Sequence, residues 1–173
     1  MSGTEGPRPG TPVGGTQVYD VDVVAVPAQA WLCLALVDAG ADGAALVARL
    51  HEIAARAGLL ADGPPATRFA PDSGAVPAVA TEVAIPVRPF ADGSLPTAVE
   101  EARGEWIPLH HALQAVHVGR RADSAGAHAA VREACSALGY TPAGPITEIC
   151  ETRGPDGAAA GATTTRVRMP YAR

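Results

Sequence analysis

The strongest constraint on this chain is that it carries two versions of one pattern. Sliding the sequence by 81 residues aligns Asp42 with Asp123, Glu52 with Glu133, Gly58 with Gly139, and Gly63-Pro64 with Gly144-Pro145, without a gap. Further on, a shift of 84 residues aligns Thr81–Pro86 with Thr165–Pro170. The slip between the two shifts falls in the Gly- and Ala-rich stretch Gly154–Ala162, which reads as a variable hairpin loop. A supersecondary unit repeated in this way leaves one face uncovered until its second copy covers it. Repeat one then runs over about 18–95 and repeat two over about 96–173, with residues 1–17 as a flexible tail.

The local physics of each copy agrees. Leu46, Leu50, Ile53 and Ala57 recur at helical intervals, and Ala127, Val131, Ala134 and Leu138 occupy the shifted positions. Each set is the apolar stripe of an amphipathic helix. Asp42 and Asp123 stand where an N-cap carboxylate accepts orphan amide protons. Gly58 and Gly139 stand where the chain must turn left-handed to leave a helix. The helices are therefore expected over 42–57 and 123–138. Long β-type runs precede them, Val18–Val37 and Trp106–Val118, the first carrying Pro27 and Gln29 as the mark of a bulge or bend. After each helix a Gly-Pro turn leads into two strands: Ala66–Ala70 with Glu82–Val87, and Ile146–Thr152 with Thr164–Met169. The expected fold is α+β: two tandem strand–helix–strand–strand repeats forming one antiparallel sheet. The helices lie on one side, with a ligand groove between pseudo-twofold halves.

Composition narrows the function classes. Hydrophobic residues make up 47% and charged residues 18%, which is a globular balance and not a disordered one. All 13 basic residues are arginine, set against 18 acidic ones, for a net charge of -5. A nucleic-acid face would need a clustered basic footprint, so direct nucleic-acid binding is not expected. The apolar run Val23–Val37 is about 15 residues where a membrane span needs about 20, and no signal-peptide pattern opens the chain. Cys33, Cys135 and Cys150 are odd in number and lack metal-type spacing, which points to a reducing, cytoplasmic setting. No phosphate loop, dinucleotide fingerprint or Gly-x-Ser-x-Gly element is present, and no cofactor is expected.

Certain short motifs carry a family resemblance. They are His117-Val118-Gly119 before the second helix, Gly144-Pro145-Ile146-Thr147-Glu148 after it, and the closing strand ending Met169-Pro170. With the repeated unit, these make the chain, from about Tyr19 to Tyr171, resemble the GyrI-like family. That family comprises the effector-binding domains also found at the C-terminal ends of AraC- and MerR-type regulators. The resemblance implies a small-molecule groove between repeats, with Glu148 as the carboxylate that meets cationic or polar aromatic ligands. The family has a tyrosine two residues after that glutamate, where this chain has Cys150, which offers neither ring face nor hydroxyl. The residues ahead of Val18 are too few for a helix–turn–helix, so the expectation is a stand-alone binder of an aromatic, drug-like compound, serving resistance or sensing. A subfamily that hydrolyses the cyclopropane of DNA-alkylating antibiotics gives the alternative, in which Glu148 is catalytic. A third reading, inhibition of a protein partner such as DNA gyrase, has no acidic run in the sequence to support it.

The residues can also be read without the family. In a strand, Ile146, Glu148 and Cys150 share one face and Thr147 and Ile149 the other. If Thr147 and Ile149 face the helices, Glu148 faces the groove. Partly desolvated there, its pKa would rise and it could act as a counter-charge or general base. The plainer alternative is a solvated edge carboxylate. Its counterpart in copy one is Thr67. With aromatic residues at only 4%, each is worth placing: Trp31, Trp106 and Tyr171 are the expected pocket walls, with Phe69 a further candidate, and core packing is the alternative for each. His117 is expected to bond backbone and fix the turn with Gly119. His111 and His117 would lie roughly 20 Å apart on a strand, too far to share a metal ion. Cys135 falls on the apolar side of its helix.

Overall fold

The computed structural model describes residues 17–36, 42–70, 79–152 and 163–173. Most of the 1–17 tail and the Gly154–Ala162 loop lie outside the described residues. In chain order the elements are β1 (Val21–Val26), β2 (Gln29–Ala35), α1 (Gly43–Arg56), β3 (Leu60–Ala61), β4 (Ala66–Phe69), β5 (Ala80–Arg88), β6 (Ala98–Val99) and β7 (Ala102–Ile107). There follow β8 (His110–Gly119), a 3-10 turn (Arg121–Asp123), α2 (Ala125–Ala137), β9 (Thr141–Pro142), β10 (Ile146–Thr152) and β11 (Thr163–Ala172). The architecture is α+β. The strands form a sheet in the order β1-β8-β11-β10-β4-β5-β2-β7-β6, antiparallel at every pairing among the described residues.

The first long β run is two strands, broken at Pro27-Ala28, and the second is likewise broken at Pro108-Leu109. The register continues unshifted across the break: Val26 opposes His110, and Gln29 opposes Ile107. These prolines interrupt the ladder because they supply no N–H to it. The break has a consequence for shape. β1 and β2 are six inter-strand steps apart in the sheet, about 29 Å if it were flat. Three Cα steps from Val26 to Gln29 reach about 11 Å at most. The sheet therefore has to curl, bringing its ends together around a concave face.

Both helices cover the other face. Leu50, Ile53 and Ala54 of α1 are buried against Ala30, Leu32 and Leu34 of β2 and Val83, Ile85 and Val87 of β5. Ala127, Val131 and Cys135 of α2 are buried against Leu113, Ala115, Ile146, Val167 and Met169. Residues directly opposite each other in a ladder share a face. Thr67 of β4 opposes both Val83 and Glu148, so the face under α1 and the face under α2 are the same. Burying Leu50 and Ile53 completely contributes about 1.5–3 kcal/mol each relative to exposure.

The helix ends agree with the sequence only in part. Asp42 caps α1, its Oδ1 accepting from the Ala44 N–H at 2.9 Å. Gly58 and Gly139 leave the two helices at φ of 73° and 68°, the left-handed region glycine is needed for. Asp123 is not a cap. It closes the 3-10 turn and pairs with Arg120 at 3.0 Å, while Ser124 precedes α2. The turn delays the start of α2, not its end. Leu138 is the C-cap residue of α2, as Ala57 is of α1, and is 52% exposed, while Cys135 holds in the buried stripe the place that Ala54 holds in α1.

Candidate functional site

The concave face is built from the strand positions that point away from the helices. Trp31, Cys33, Ala66, Ala84 and Ile149 pack there as a small apolar cluster, joined by Ile107. At its side lies a polar knot. Arg68, buried in the middle of β4, donates from Nη1 to Glu82 Oε2 and to Glu105 Oε2, each at 2.6 Å. Arg103 closes the ring with Nη1 3.0 Å from Glu105 and Nη2 3.3 Å from Glu82. The two arginines and two carboxylates balance in charge. Burial raises the Glu105 pKa, but hydrogen bonding from Arg68 and the charges of Arg68 and Arg103 outweigh it and hold the group below its ordinary value.

Cys33, Glu82 and Glu105 bring ligand-type atoms within 4.8 Å of one another. That set does not fit a metal ion. Arg68 Nη1 is already the cation among them, 3.3 Å from Cys33 Sγ. Burial, the largest cause, pushes the Cys33 thiol up to about 12, so the sulfur is a neutral thiol beside that guanidinium.

A cavity of about 290 Å³ opens over this floor. Trp31, Ile107 and Ile149 give it apolar walls, Thr147, Arg168 and Glu105 are among its polar groups, and Trp106 and Tyr171 border it from strand positions of the helix-side parity, Trp106 opposite Ala30 and Tyr171 against the α2 core. Val26, Pro27, Gln29, Pro108 and His110 also line it, so the bend between the strand pairs forms part of its wall. Trp31 is 8% exposed and Trp106 is 53% exposed. Tyr171 stacks on Tyr140 with ring centroids 4.3 Å apart and planes 7° from parallel. This stacking holds the Tyr171 ring against the α2 core.

The structure thus puts Trp31 on the floor of the groove, while Trp106 and Tyr171 only border it. It puts Glu148 elsewhere, and the expected facing of β10 is inverted. Ile146 is fully buried in the α2 core, and Glu148 follows it by strand parity, 3% exposed on the helix face. Thr147 and Ile149 line the groove. The periodicity could not decide this, because each face of β10 offers one isoleucine. What settled it is the set of partners on the helix side. Ser124 Oγ donates to Glu148 Oε1 at 2.5 Å, His128 Nε2 donates to the same oxygen at 2.8 Å, and Arg121 Nε donates to Oε2 at 2.9 Å. Arg121 also reaches the Thr67 hydroxyl across the β4–β10 pair. Burial works to raise the Glu148 pKa. The hydrogen bonds from His128, Ser124 and Arg121, with the Arg121 charge, outweigh it and hold the group at about 2 rather than raised.

Phe69 is also on the helix side, edge-on to His128 with centroids 4.8 Å apart. Cys150 is half-buried, its Sγ 3.8 Å from the Thr165 hydroxyl. His117 is buried between Tyr19 and the following turn. Its Nε2 donates to the Arg120 carbonyl at 2.9 Å, and its Nδ1 lies 2.9 Å from the Tyr19 hydroxyl. Gly119 at φ 146° leaves room for that ring: a Cβ there would lie 3.2 Å from His117 Nε2. Neither Cys150 nor His117 lines the groove cavity.

Sequence reasoning missed Arg68, Glu105 and Arg168 in the groove, and Arg121, Ser124 and His128 around Glu148. A signal existed for two of them. Ser124 and His128 sit at i and i+4, on the same helix face as Val131 and Cys135. Polar residues on an apolar face need a buried partner. Glu105 and Arg68 gave no such sign, since their meeting depends on which strands become neighbours.

No protein-family model matches the sequence, and no curated protein matches it. Solved structures do. The isolated C-terminal domain of EcmrR superposes with a TM-score of 0.67 at 12% identity, over 91% of this chain and 99% of that domain. A hydrolase from Listeria innocua superposes with a TM-score of 0.56 at 15% identity, over 88% of this chain and 91% of that one. The chain shares its fold with these proteins. EcmrR in its complex with DNA matches at a TM-score of 0.69 and 12% identity, and there the chain spans 57% of EcmrR. At these identities the likeness is one of fold. No helix among the described residues is long and apolar enough to cross a membrane.

Proposed function

We propose that the chain is an effector-binding domain that takes an aromatic, drug-like small molecule in its concave groove, for sensing or for resistance. The observation that carries this reading is a cavity of about 290 Å³ on the concave face, floored by Trp31, Ile107 and Ile149 and bordered by Trp106 and Tyr171. That volume lies at the lower edge of the range for small-molecule sites, about 300–1,000 Å³. It suits one or two fused rings with a polar substituent. The reading includes two copies of one unit related by a pseudo-twofold axis. In its support, the sheet runs outward from its middle as β10-β11-β8 on one side and β4-β5-β2 on the other. Thr67 and Glu148, equivalent under the 81-residue shift, oppose each other in the two middle strands.

The ligand's polar contacts in this reading are not with Glu148, whose oxygens are committed to Arg121, Ser124 and His128. They fall to Arg168 and Thr147, both at the groove. Tryptophan fluorescence titration with a panel of aromatic antibiotics, cyclopropane-bearing alkylators included, tests the reading. Mass spectrometry of the mixtures accompanies it. Saturable quenching with the compound recovered unchanged, weakened about tenfold by Trp106→Ala, supports binding in the groove. Affinity unchanged by both Trp106→Ala and Tyr171→Ala overturns the site. A compound that gains one water over many turnovers overturns binding in favour of hydrolysis.

A further inference from the structure

On the concave face two arginines stand on either side of one threonine. Arg168 of β11 and Arg68 of β4 both oppose Thr147 of β10, and residues opposite each other in a ladder share a face. Neighbouring strands lie about 4.8 Å apart, so the two arginine Cα atoms are roughly 10 Å apart with Thr147 between them. All three residues line the groove cavity. We infer that this row is the seat of a carboxylate, and that the aromatic ligand of the groove is an anion. The assignment rests on the groove being the ligand site.

The open donors set the charge of the ligand. Arg168 is half-buried, and its Nε donates to Gln114 Oε1 at 2.8 Å. Its Nη1 and Nη2 have no partner among the described residues, and neither is closed off from solvent. No carboxylate lies within 4.0 Å of it among the described residues, and Glu151 is taken by Arg166 at 2.9 Å. Burial first, and then the Arg166 charge, lower the Arg168 pKa against a weaker opposing effect of Glu151, as suits a cation without a counter-ion. Arginine stays charged even so. Arg68 is 5% exposed. Its Nη1 serves Glu82 and Glu105, which leaves Nε and Nη2 unbonded among the described residues and also open. The Thr147 hydroxyl is likewise unbonded and open. Glu105 borders the cavity too, but Arg68 and Arg103 balance it and Glu82, so the charge in excess there is that of Arg168. A carboxylate over Thr147 accepts from Nη1 and Nη2 of Arg168 with both oxygens, and from the hydroxyl and Arg68 besides. The ring then lies on the floor of Trp31, Ile107 and Ile149. This is the opposite of the ligand charge that the family resemblance attaches to Glu148.

The test uses 2-naphthoate, 2-naphthamide and 2-naphthylmethylammonium, which share one ring system and differ in charge. Calorimetry on the unmodified protein should show saturable binding of 2-naphthoate, with the amide and the ammonium compound each about tenfold or more weaker. Arg168→Gln should weaken 2-naphthoate about tenfold and leave the amide unchanged, whereas a variant that has lost its fold loses both. The charge series is read in the unmodified protein, so it decides the matter whether or not the variant folds. Amide or ammonium binding as tight as that of 2-naphthoate overturns the anionic assignment and leaves the groove reading standing. Full affinity of 2-naphthoate in Arg168→Gln does the same. Silence of all three compounds overturns both.

Discussion

Replacing Glu148 by glutamine should remove stability in a way that depends on pH. The carboxyl is held at about 2 in the folded chain against an ordinary value of 4.5. Each unit of such a difference corresponds to about 1.4 kcal/mol, so the ionised group contributes on the order of 3 kcal/mol. The sign follows from the depressed folded value. Above 4.5 the carboxylate is charged in both states and the full stabilisation is present. It is lost as pH falls from 4.5 through about 2, because the unfolded chain takes up the proton first. Other carboxylates held low, such as Glu100, Glu101 and Glu105, make both proteins acid-sensitive and cancel in the difference. Urea unfolding of the parent and Glu148→Gln at neutral pH, about pH 4 and about pH 3 measures that difference. The gap between them should be largest at neutral pH and shrink steadily below 4.5. A gap of the same size at neutral pH and in acid would refute the reasoning, as would a Glu148 carboxyl carbon titrating near 4.5.

Other changes follow from single contacts. Gly104→Ala would bring a Cβ to 1.9 Å from the Pro96 carbonyl oxygen, so a loss of about 2 kcal/mol or more is expected in thermal unfolding; an unchanged midpoint would contradict the close approach. Ile85→Ala empties a fully buried site between α1 and the sheet and should cost about 2–5 kcal/mol by denaturant titration. Gly139→Ala forces a left-handed alanine at φ 68° and should cost about 1 kcal/mol, whereas a neutral result would mean the helix exit had relaxed. Cys33, buried and pushed up to about 12, should resist thiol-reactive dye at about pH 8 until the chain is denatured. Rapid labelling of Cys33 in the native protein would sink that description.

Much of the fold could be read directly. The helix stripes, Asp42 as a cap, the left-handed glycines and the strand limits around β4, β5, β10 and β11 are local matters, governed by turn chemistry and period. A bend at Pro27 was also legible, because proline cannot serve a continuous ladder. Local rules failed where a neighbour distant in sequence intervened, or where a short turn was inserted. Asp123 looked like a cap until the 3-10 turn displaced the start of α2. Trp31, Trp106 and Tyr171 were singled out because few aromatic residues exist to choose from, and only Trp31 sits on the concave floor. The charged groups around them were missed because Arg68, Glu82, Arg103 and Glu105 come from three different strands.

By itself, then, the sequence determined which segments become helix and strand and which of their residues are apolar. Periods of two and 3.6 residues are properties of the backbone and need no partner. Only the tertiary structure decided which way β10 faces. Its two alternating sets each hold an isoleucine, so burying apolar area favours neither orientation strongly. The choice falls to Glu148, whose loss of water on the helix side is offset by Arg121, Ser124 and His128. Those three donors reach it only once α2 has docked on the sheet. The same docking leaves Thr147 and Ile149 to the concave face, beside Trp31.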